Sequence, residues 1–356
     1  MYKLLSKVLT ERLKGVIGKL VDAQQMTFIK GRQIMDAVLI ANEAVDSRIK
    51  RKKLGIICKL DLRKHMIMST GGFYNTQRGL RQGDPLSPFL FLITMEGLNS
   101  MIETTNNRAW LKGFDVAREG GDSLELTHLQ CADDTLIFCD DEEQQLKYVR
   151  VILILFEGMT GLHINWRKSL VYPISTVTNM NYLAAILGGE IDTLPTTYLS
   201  MLLGGKFNSV EIWNGMLEKC EKKLARWKTQ YLSFGGRLTL INSVLDVLPT
   251  YMMTLFPIPA GVIRRLDSIR RKFLWHGNKE RKGFHLVKWK VVIAGKKVGG
   301  MGIKNLKVQS KALRMKWLWK FANENQMLWK RVINAKYEGE DMWMTKEVTT
   351  PDGVSL

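Results

Sequence analysis

The segment from His128 to Cys139 constrains the fold more than any other part of the chain. Leu129–Ala132 and Thr135–Cys139 are two short strand-like runs on either side of Asp133-Asp134. Runs of that kind joined by two residues predict a tight antiparallel hairpin. Its tip then carries two adjacent carboxylates. An Asp-Asp pair on its own is an ordinary turn pair. Flanked by apolar strands, two like charges at a partly buried tip repel each other and call for a cation.

A third carboxylate belongs with them. Leu54 to Leu62 is a short apolar run bounded by charge, with Ile56 and Ile57 inside it, and it predicts a buried strand that ends at Asp61. Asp61, Asp133 and Asp134 on the edges of neighbouring strands suit two divalent cations of the kind that stabilise the attacking and leaving oxygens in phosphoryl transfer. Magnesium fits such a site, because it takes few carboxylates and keeps waters and substrate phosphates as its other ligands.

Around these strands the periodicity is helical. Leu4, Leu5, Val8, Leu9, Leu13, Val16 and Ile17 recur at spacings of three and four near the start. Further helices are expected over Ile34–Val45, over Pro85–Ile102 with Pro85 near the first turn, and from the acids at 140–143 to about Met159 with Gly161 as the stop. His65 to Tyr74 has no clear period and reads as loop. Beyond Ser169 the character changes to basic amphipathic helices over Trp213–Trp227, Leu238–Leu248, Val262–Trp275 and Lys311–Tyr337. The Trp residues there, among them Trp317, Trp319 and Trp329, read mainly as core packing. The class is α+β, with a mixed part over residues 1–170 and a basic, mostly helical part over residues 171–356.

Charge points to the partner. The 356 residues hold 53 Lys and Arg against 34 Asp and Glu, a formal net charge of +19, and such a surplus suits a polyanion, usually nucleic acid. Cys58, Cys131, Cys139 and Cys220 form no CxxC pair and no zinc spacing, so a reducing compartment is expected. The N-terminus has no signal-peptide core, and Val151–Phe156 is far too short to cross a bilayer. A soluble intracellular protein without a membrane partner is expected. The sequence does not choose between nucleus and cytoplasm, nor does it set the oligomeric state.

One more segment carries chemistry. In Arg78-Gly-Leu-Arg-Gln-Gly-Asp-Pro-Leu-Ser-Pro88, Gly79 and Gly83 allow close backbone approach, and Arg78 and Arg81 suit phosphate oxygens. The plainer reading is a capped loop before a helix. Gln82-Gly-Asp-Pro-Leu-Ser-Pro88 before an apolar helix, Ala132-Asp-Asp in a hairpin and then Gly161-Leu-His-Ile-Asn-Trp-Arg-Lys-Ser169 resemble the reverse transcriptases of LINE-type non-LTR retrotransposons, the plant variety especially. The resemblance extends to Phe28-Ile-Lys-Gly-Arg-Gln-Ile-Met-Asp-Ala37 and Lys59-Leu-Asp-Leu-Arg-Lys64 upstream. Downstream it takes in Leu194-Pro-Thr-Thr-Tyr-Leu199, Gly235-Gly-Arg-Leu-Thr-Leu-Ile241 and Phe273-Leu-Trp275. It covers nearly the whole chain.

The resemblance implies a right-hand polymerase. Fingers and palm, a small antiparallel sheet with packed helices, would occupy residues 1–170, and a thumb-like region residues 171–356. Asp61, Asp133 and Asp134 would be ligands of two magnesium ions. Gln82 and Gly83 would lie against the incoming nucleotide and template, and Arg32 would contact template or triphosphate. Lys168 would pass a proton to departing pyrophosphate. Partners would be an RNA template, a DNA primer and deoxynucleotide triphosphates, and the chemistry attack by the primer 3′-hydroxyl on a nucleotide α-phosphate.

The chain also departs from the family pattern. Asp61-Leu-Arg-Lys64 runs on into His65-Met66-Ile67 where the family continues Lys-Ala-Tyr-Asp. Met66 thus replaces the aromatic that excludes a ribose 2′-hydroxyl, and the second Asp is missing. Residues 62–77 alone separate Asp61 from Arg78, where the family has several tens. An internal deletion around 65–77 is expected to leave palm strands partly uncovered. Cys131 stands in an aromatic's place, and Ser200-Met201 where Gly-x-Pro would follow Tyr198-Leu199. An endonuclease before the finger region and a zinc-binding or RNase H-like segment after it are expected to be absent. The expectation is therefore an impaired RNA-directed DNA polymerase. The alternative is a relic that only binds nucleic acid or has no function.

Overall fold

The computed structural model describes residues 2–63, 83–116, 124–205, 209–228, 232–276, 287–324 and 326–337. Two compact units divide the chain. The first takes everything up to Gly204 and, from Glu324 on, the last described helix; the second takes Gly205–Asn323.

In the first unit, helices α1 (Tyr2–Leu20) and α2 (Ile34–Lys50) precede strand β1 (Gly55–Arg63), the strand expected from the Leu54–Leu62 run. Helix α3 (Ser87–Asn107) follows, with Pro88 in its first turn and Pro85 in the turn before it. Next come β2 (Phe114–Asp115), β3 (Glu125–Leu126), β4 (His128–Cys131) and β5 (Asp134–Cys139), the last two forming the expected hairpin with its turn one residue earlier than expected, at Ala132-Asp133, so that Asp134 begins β5. Helix α4 (Glu143–Thr160) ends at Gly161, which takes the left-handed φ of 69° that glycine adopts at a helix stop. Strands β6 (His163–Ile164) and β7 (Leu170–Ile174), helix α5 (Met180–Leu187) and strands β8 (Glu190–Ile191), β9 (Thr196–Tyr198) and β10 (Met201–Leu203) complete this stretch.

Strand β1 is central. The main sheet runs β4-β5-β1-β7-β8, and β6 pairs with the far end of β1. All neighbours of β1 are antiparallel to it; only β7 and β8 run parallel. Ile56, Cys58, Leu60 and Leu62 alternate onto one face and join a core built from Met95, Leu98, Leu146, Leu153, Phe156 and Leu183 on α3, α4 and α5. Ile57 takes the other face with its cross-strand partners Phe138 and Tyr172. That side is closed by Phe114, whose ring lies 5.2 Å from that of Phe138, and by α2, whose Arg48 donates to the Leu54 carbonyl at 2.8 Å. The short link after Asp61 was expected to leave the strands partly uncovered. The described residues correct this: Gly55–Cys58 and Thr135–Cys139 are buried, because α2 covers one face and α3–α5 the other.

In the second unit lie α6 (Asn214–Lys228), α7 (Phe234–Leu240), α8 (Thr250–Met253), α9 (Ala260–His276), α10 (Trp289–Val292) and α11 (Leu306–Asn323). Two expected helices are corrected. Leu238–Leu248 is not continuous: α7 passes into a wider π turn over Ile241–Leu245, closed by Asp246 N–H on the Ile241 carbonyl at 2.9 Å. This turn delivers the buried Asp246 carboxylate to Arg270 of α9 at 2.6 Å. The span Lys311–Tyr337 divides into α11 and a separate α12 (Leu328–Tyr337). Helix α12 belongs with the first unit, where Lys336 Nζ reaches Glu43 Oε2 and Asp46 Oδ2 of α2, each at 2.6 Å. Trp213, Trp317 and Trp329 are buried, in keeping with core packing, and Trp319 is exposed. No helix among the described residues is long and apolar enough to cross a membrane.

Candidate active site

Register sets the carboxylates together. Asp61 of β1 is the direct cross-strand partner of Asp134 of β5, and Asp134 is in turn the partner of Cys131 on β4. Direct partners project from the same face, with Cβ atoms about 5 Å apart. The row Cys131, Asp134, Asp61 therefore crosses three strands on the face opposite Leu60 and Leu62. Asp133 lies in the two-residue turn just beyond, and all three aspartates are half-buried. Among the described residues no group of three His, Cys, Asp or Glu side chains converges closely enough to hold a metal ion. The Cys131 thiol senses the local charge: burial first, then the Asp134 and Asp133 carboxylates, pushes it up to about 12.

Asp61 is held from the far side by the turn after β6. Asn165 Nδ2 donates to Asp61 Oδ2 at 3.2 Å, and the Asn165 amide donates to the Asp61 carbonyl at 2.8 Å. The Asp61 amide donates to Ser169 Oγ at 3.3 Å, and that hydroxyl donates to the Asn165 carbonyl at 3.0 Å. Lys168 sits exposed in this same turn, between the two residues that grip Asp61. Trp166 anchors the turn beneath Arg150, whose guanidinium carbon is 4.0 Å from the ring centre. Asn165 and Ser169 were not singled out from the sequence. They stand in the segment that carried Lys168, but only the fold shows which strand they serve.

The other expected residues are placed differently. Arg32 turns its guanidinium onto its own neighbourhood: Nη1 donates to the carbonyls of Asp22 and, at 2.7 Å, Gln25, and Nη2 to Val21 at 3.3 Å. Burial lowers its pKa from the usual arginine value, against the pull of Asp22 and Glu96. Gly83 has a left-handed φ of 87°, and among the described residues nothing lies within 4 Å of where a Cβ would stand. Asp84 beside it is buried and accepts from Ser6 Oγ and from the Leu86 amide at 2.8 Å. Arg78, Arg81 and Gln82 lie outside the described residues, as does the loop expected over His65–Tyr74.

His128, at the start of β4, is fully buried, with Nδ1 3.0 Å from Thr127 Oγ1. Burial drives its pKa down to about 4, opposed by the Asp22 carboxylate. The folded state thus keeps this ring neutral while the unfolded chain takes up a proton near pH 6.5. The associated stability is present above pH 6.5 and is lost as pH falls toward 4, by about 3 kcal/mol in total. Denaturant melts of the wild type and His128→Gln between pH 7 and 4 check this. The variant is expected to show a flatter decline, and parallel curves would rule it out.

Residues 65–199 match the family described as reverse transcriptase (RNA-dependent DNA polymerase), a span that takes in Asp133, Asp134 and Lys168 and begins just after Asp61. A protein of Arabidopsis thaliana named for ribonuclease H is 38% identical over 122 residues, 34% of this chain and 20% of that protein. An uncharacterized mitochondrial protein of the same plant is 41% identical over 64 residues, 18% of this chain and 50% of that protein. The retrovirus-related Pol polyprotein from a type-2 retrotransposable element of Drosophila melanogaster is 24% identical over 264 residues, 70% of this chain and 23% of the polyprotein. Residues 65–199 are thus similar to a reverse transcriptase domain, and the relatives that the chain resembles include a retrotransposon Pol polyprotein. It spans half or less of the length of these relatives.

Proposed function

We propose that the chain is an RNA-directed DNA polymerase whose nucleotidyl transfer depends on Asp61, Asp133 and Asp134. The observation that carries this reading is the direct pairing of Asp61 with Asp134 across β1 and β5, with Asp133 in the adjoining turn. Magnesium is typically bound by one or two carboxylates and completed by waters and substrate phosphates. A row of two aspartates with a third in the turn suits it without a cage of three protein ligands. Two bound magnesium ions would stabilise charge on the attacking and leaving oxygens.

The remaining work falls to the chain itself. Asn165 and Ser169 keep Asp61 in register with Asp134. Lys168, in the turn those residues bracket, is assigned the proton given to pyrophosphate. The space that the described residues leave at Gly83 admits a nucleotide close to the backbone, with Arg78, Arg81 and Gln82 assigned to phosphate and template. Fingers and palm are assigned to residues 1–170 and the thumb-like role to the basic helices that follow, whose charge suits an RNA template and DNA primer.

The test is primer extension on an RNA template with deoxynucleotide triphosphates. Extension that requires Mg²⁺ or Mn²⁺ and stops on adding a chelator supports the reading. Folded, soluble protein that binds RNA with a steep salt dependence but never extends a primer would overturn it and leave a relic that only binds.

A further inference from the structure

The turn that carries Asp133 and leads into Asp134 of β5 is held from outside its own hairpin. Ala132, the residue before Asp133, takes a left-handed φ of 57°, a region where a side chain is uncommon. Such strain persists only where the surroundings over-determine it, and it concentrates at functional turns. The surroundings here are residues 24–27. The Ala132 amide donates to Thr27 Oγ1 at 2.9 Å, and the Thr27 hydroxyl donates to Gln25 Oε1 at 3.0 Å. A hydroxyl with its proton committed to a glutamine oxygen must offer its lone pairs to the amide.

The loop that presents these two side chains is itself fixed. The Met26 amide donates to the Gln130 carbonyl at 2.8 Å, and the Gln130 amide to the Gln24 carbonyl at 3.0 Å, so the loop lies in register along β4. Arg32 closes its other side through the carbonyls of Val21, Asp22 and Gln25. A continuous series of bonds runs from a guanidinium, through a loop and a hydroxyl, to the amide one residue before Asp133.

We propose that Thr27 is a positioning residue for the aspartate turn, with Gln25 orienting its hydroxyl and Arg32 holding the loop. Without the Thr27 acceptor, the Ala132 amide keeps only the longer bond to Gln25 Oε1 at 3.4 Å, and Ala132 relaxes more readily toward negative φ, which swings the peptide that places Asp133. A displacement of about 1 Å at reacting groups is enough to slow chemistry by about a hundredfold. The kinetic part rests on the polymerase reading above; the local structural part does not.

Thr27→Val keeps the shape and deletes the hydroxyl, whereas Thr27→Ser keeps the hydroxyl. Hydrogen exchange at the Ala132 amide is expected to quicken by about tenfold in Thr27→Val and to stay at the wild-type rate in Thr27→Ser. In primer extension, Thr27→Val is expected to lower kcat by about ten- to a hundredfold with KM for nucleotide little changed, and Thr27→Ser to restore it. Arg32→Lys keeps the charge but loses the planar fork, and a smaller rise in exchange at the same amide is expected, which serves if Thr27→Val does not fold. Unchanged Ala132 exchange in both Thr27→Val and Arg32→Lys overturns the proposal, and so does a kcat that survives faster exchange. A wild-type chain that never extends a primer, yet shows the exchange effect, sinks the polymerase reading and leaves the clasp standing.

Discussion

Asp134→Asn is expected to cut metal-dependent primer extension by about a thousandfold while leaving the chain slightly more stable. Asp134 is the middle of the row, facing Asp61 on one strand and Cys131 on the other. In the absence of a cation, like charges set directly opposite across two strands cost about 0.5 kcal/mol, and the amide removes that repulsion at constant shape. On the polymerase reading proposed above, the same change would delete a Mg²⁺ ligand whose role would be to gather positive charge around the transferring phosphate. A loss of about 4 kcal/mol of transition-state stabilisation is the scale expected for such charge stabilisation, which converts to about a thousandfold in rate. The two measurements move in opposite directions, which separates a catalytic carboxylate from a structural one. A third readout is independent of both. The Asp134 carboxylate ranks behind burial among the causes that raise the Cys131 thiol to about 12, so the variant's thiol is expected to titrate lower. Extension at the wild-type rate in Asp134→Asn would remove this residue from the chemistry.

What the sequence disclosed and what it hid follow from how far apart the partners are. Strand β1, the β4–β5 hairpin and the stop at Gly161 are local: β-branched runs, a two-residue turn and one left-handed glycine specify them without reference to the rest of the chain. The support of the site is not local. Asn165 meets Asp61 across 104 positions, Ser169 meets it across 108, and Thr27 meets Ala132 across 105. No periodicity encodes such contacts.

Arg32 shows a second limit. The family resemblance assigned it to template or triphosphate, and neither a motif nor a charge discloses the carbonyls of its own loop that turn toward it. The same holds for the covered strands. The short link after Asp61 suggested exposed sheet, and the cover from α2 and from the α3–α5 layer becomes visible only once these helices are placed. The Leu238–Leu248 stretch was read as one helix, and no residue type within it marks the wider π turn over Ile241–Leu245. Only the buried carboxylate at Asp246 distinguishes that turn, and its partner lies on another helix.

Arg270→Met is expected to destabilise the second unit by about 3–5 kcal/mol, enough to unfold it or to bring its transition well below that of the first. Arg270 and Asp246 are 1% and 0% exposed, so neither charge has water to fall back on. Arg270 Nη1 donates to Asp246 Oδ1 at 2.6 Å and to the Lys304 carbonyl at 3.0 Å, and Nη2 donates to Asp267. Asp246 Oδ2 accepts from the Lys304 amide at 2.8 Å, which ties the π turn, α9 and the segment before α11 into one network. Methionine fills much of the same volume, so the expected cost is the stranded Asp246 carboxylate rather than a cavity. The double variant Arg270→Met/Asp246→Leu removes both charges and is expected to recover most of the loss, since a buried pair replaced by apolar groups is often neutral. Urea melts of the two single variants and the double give the coupling energy directly. A double variant no more stable than Arg270→Met alone would mean that the packing around the arginine, and not the uncompensated charge, holds these helices together.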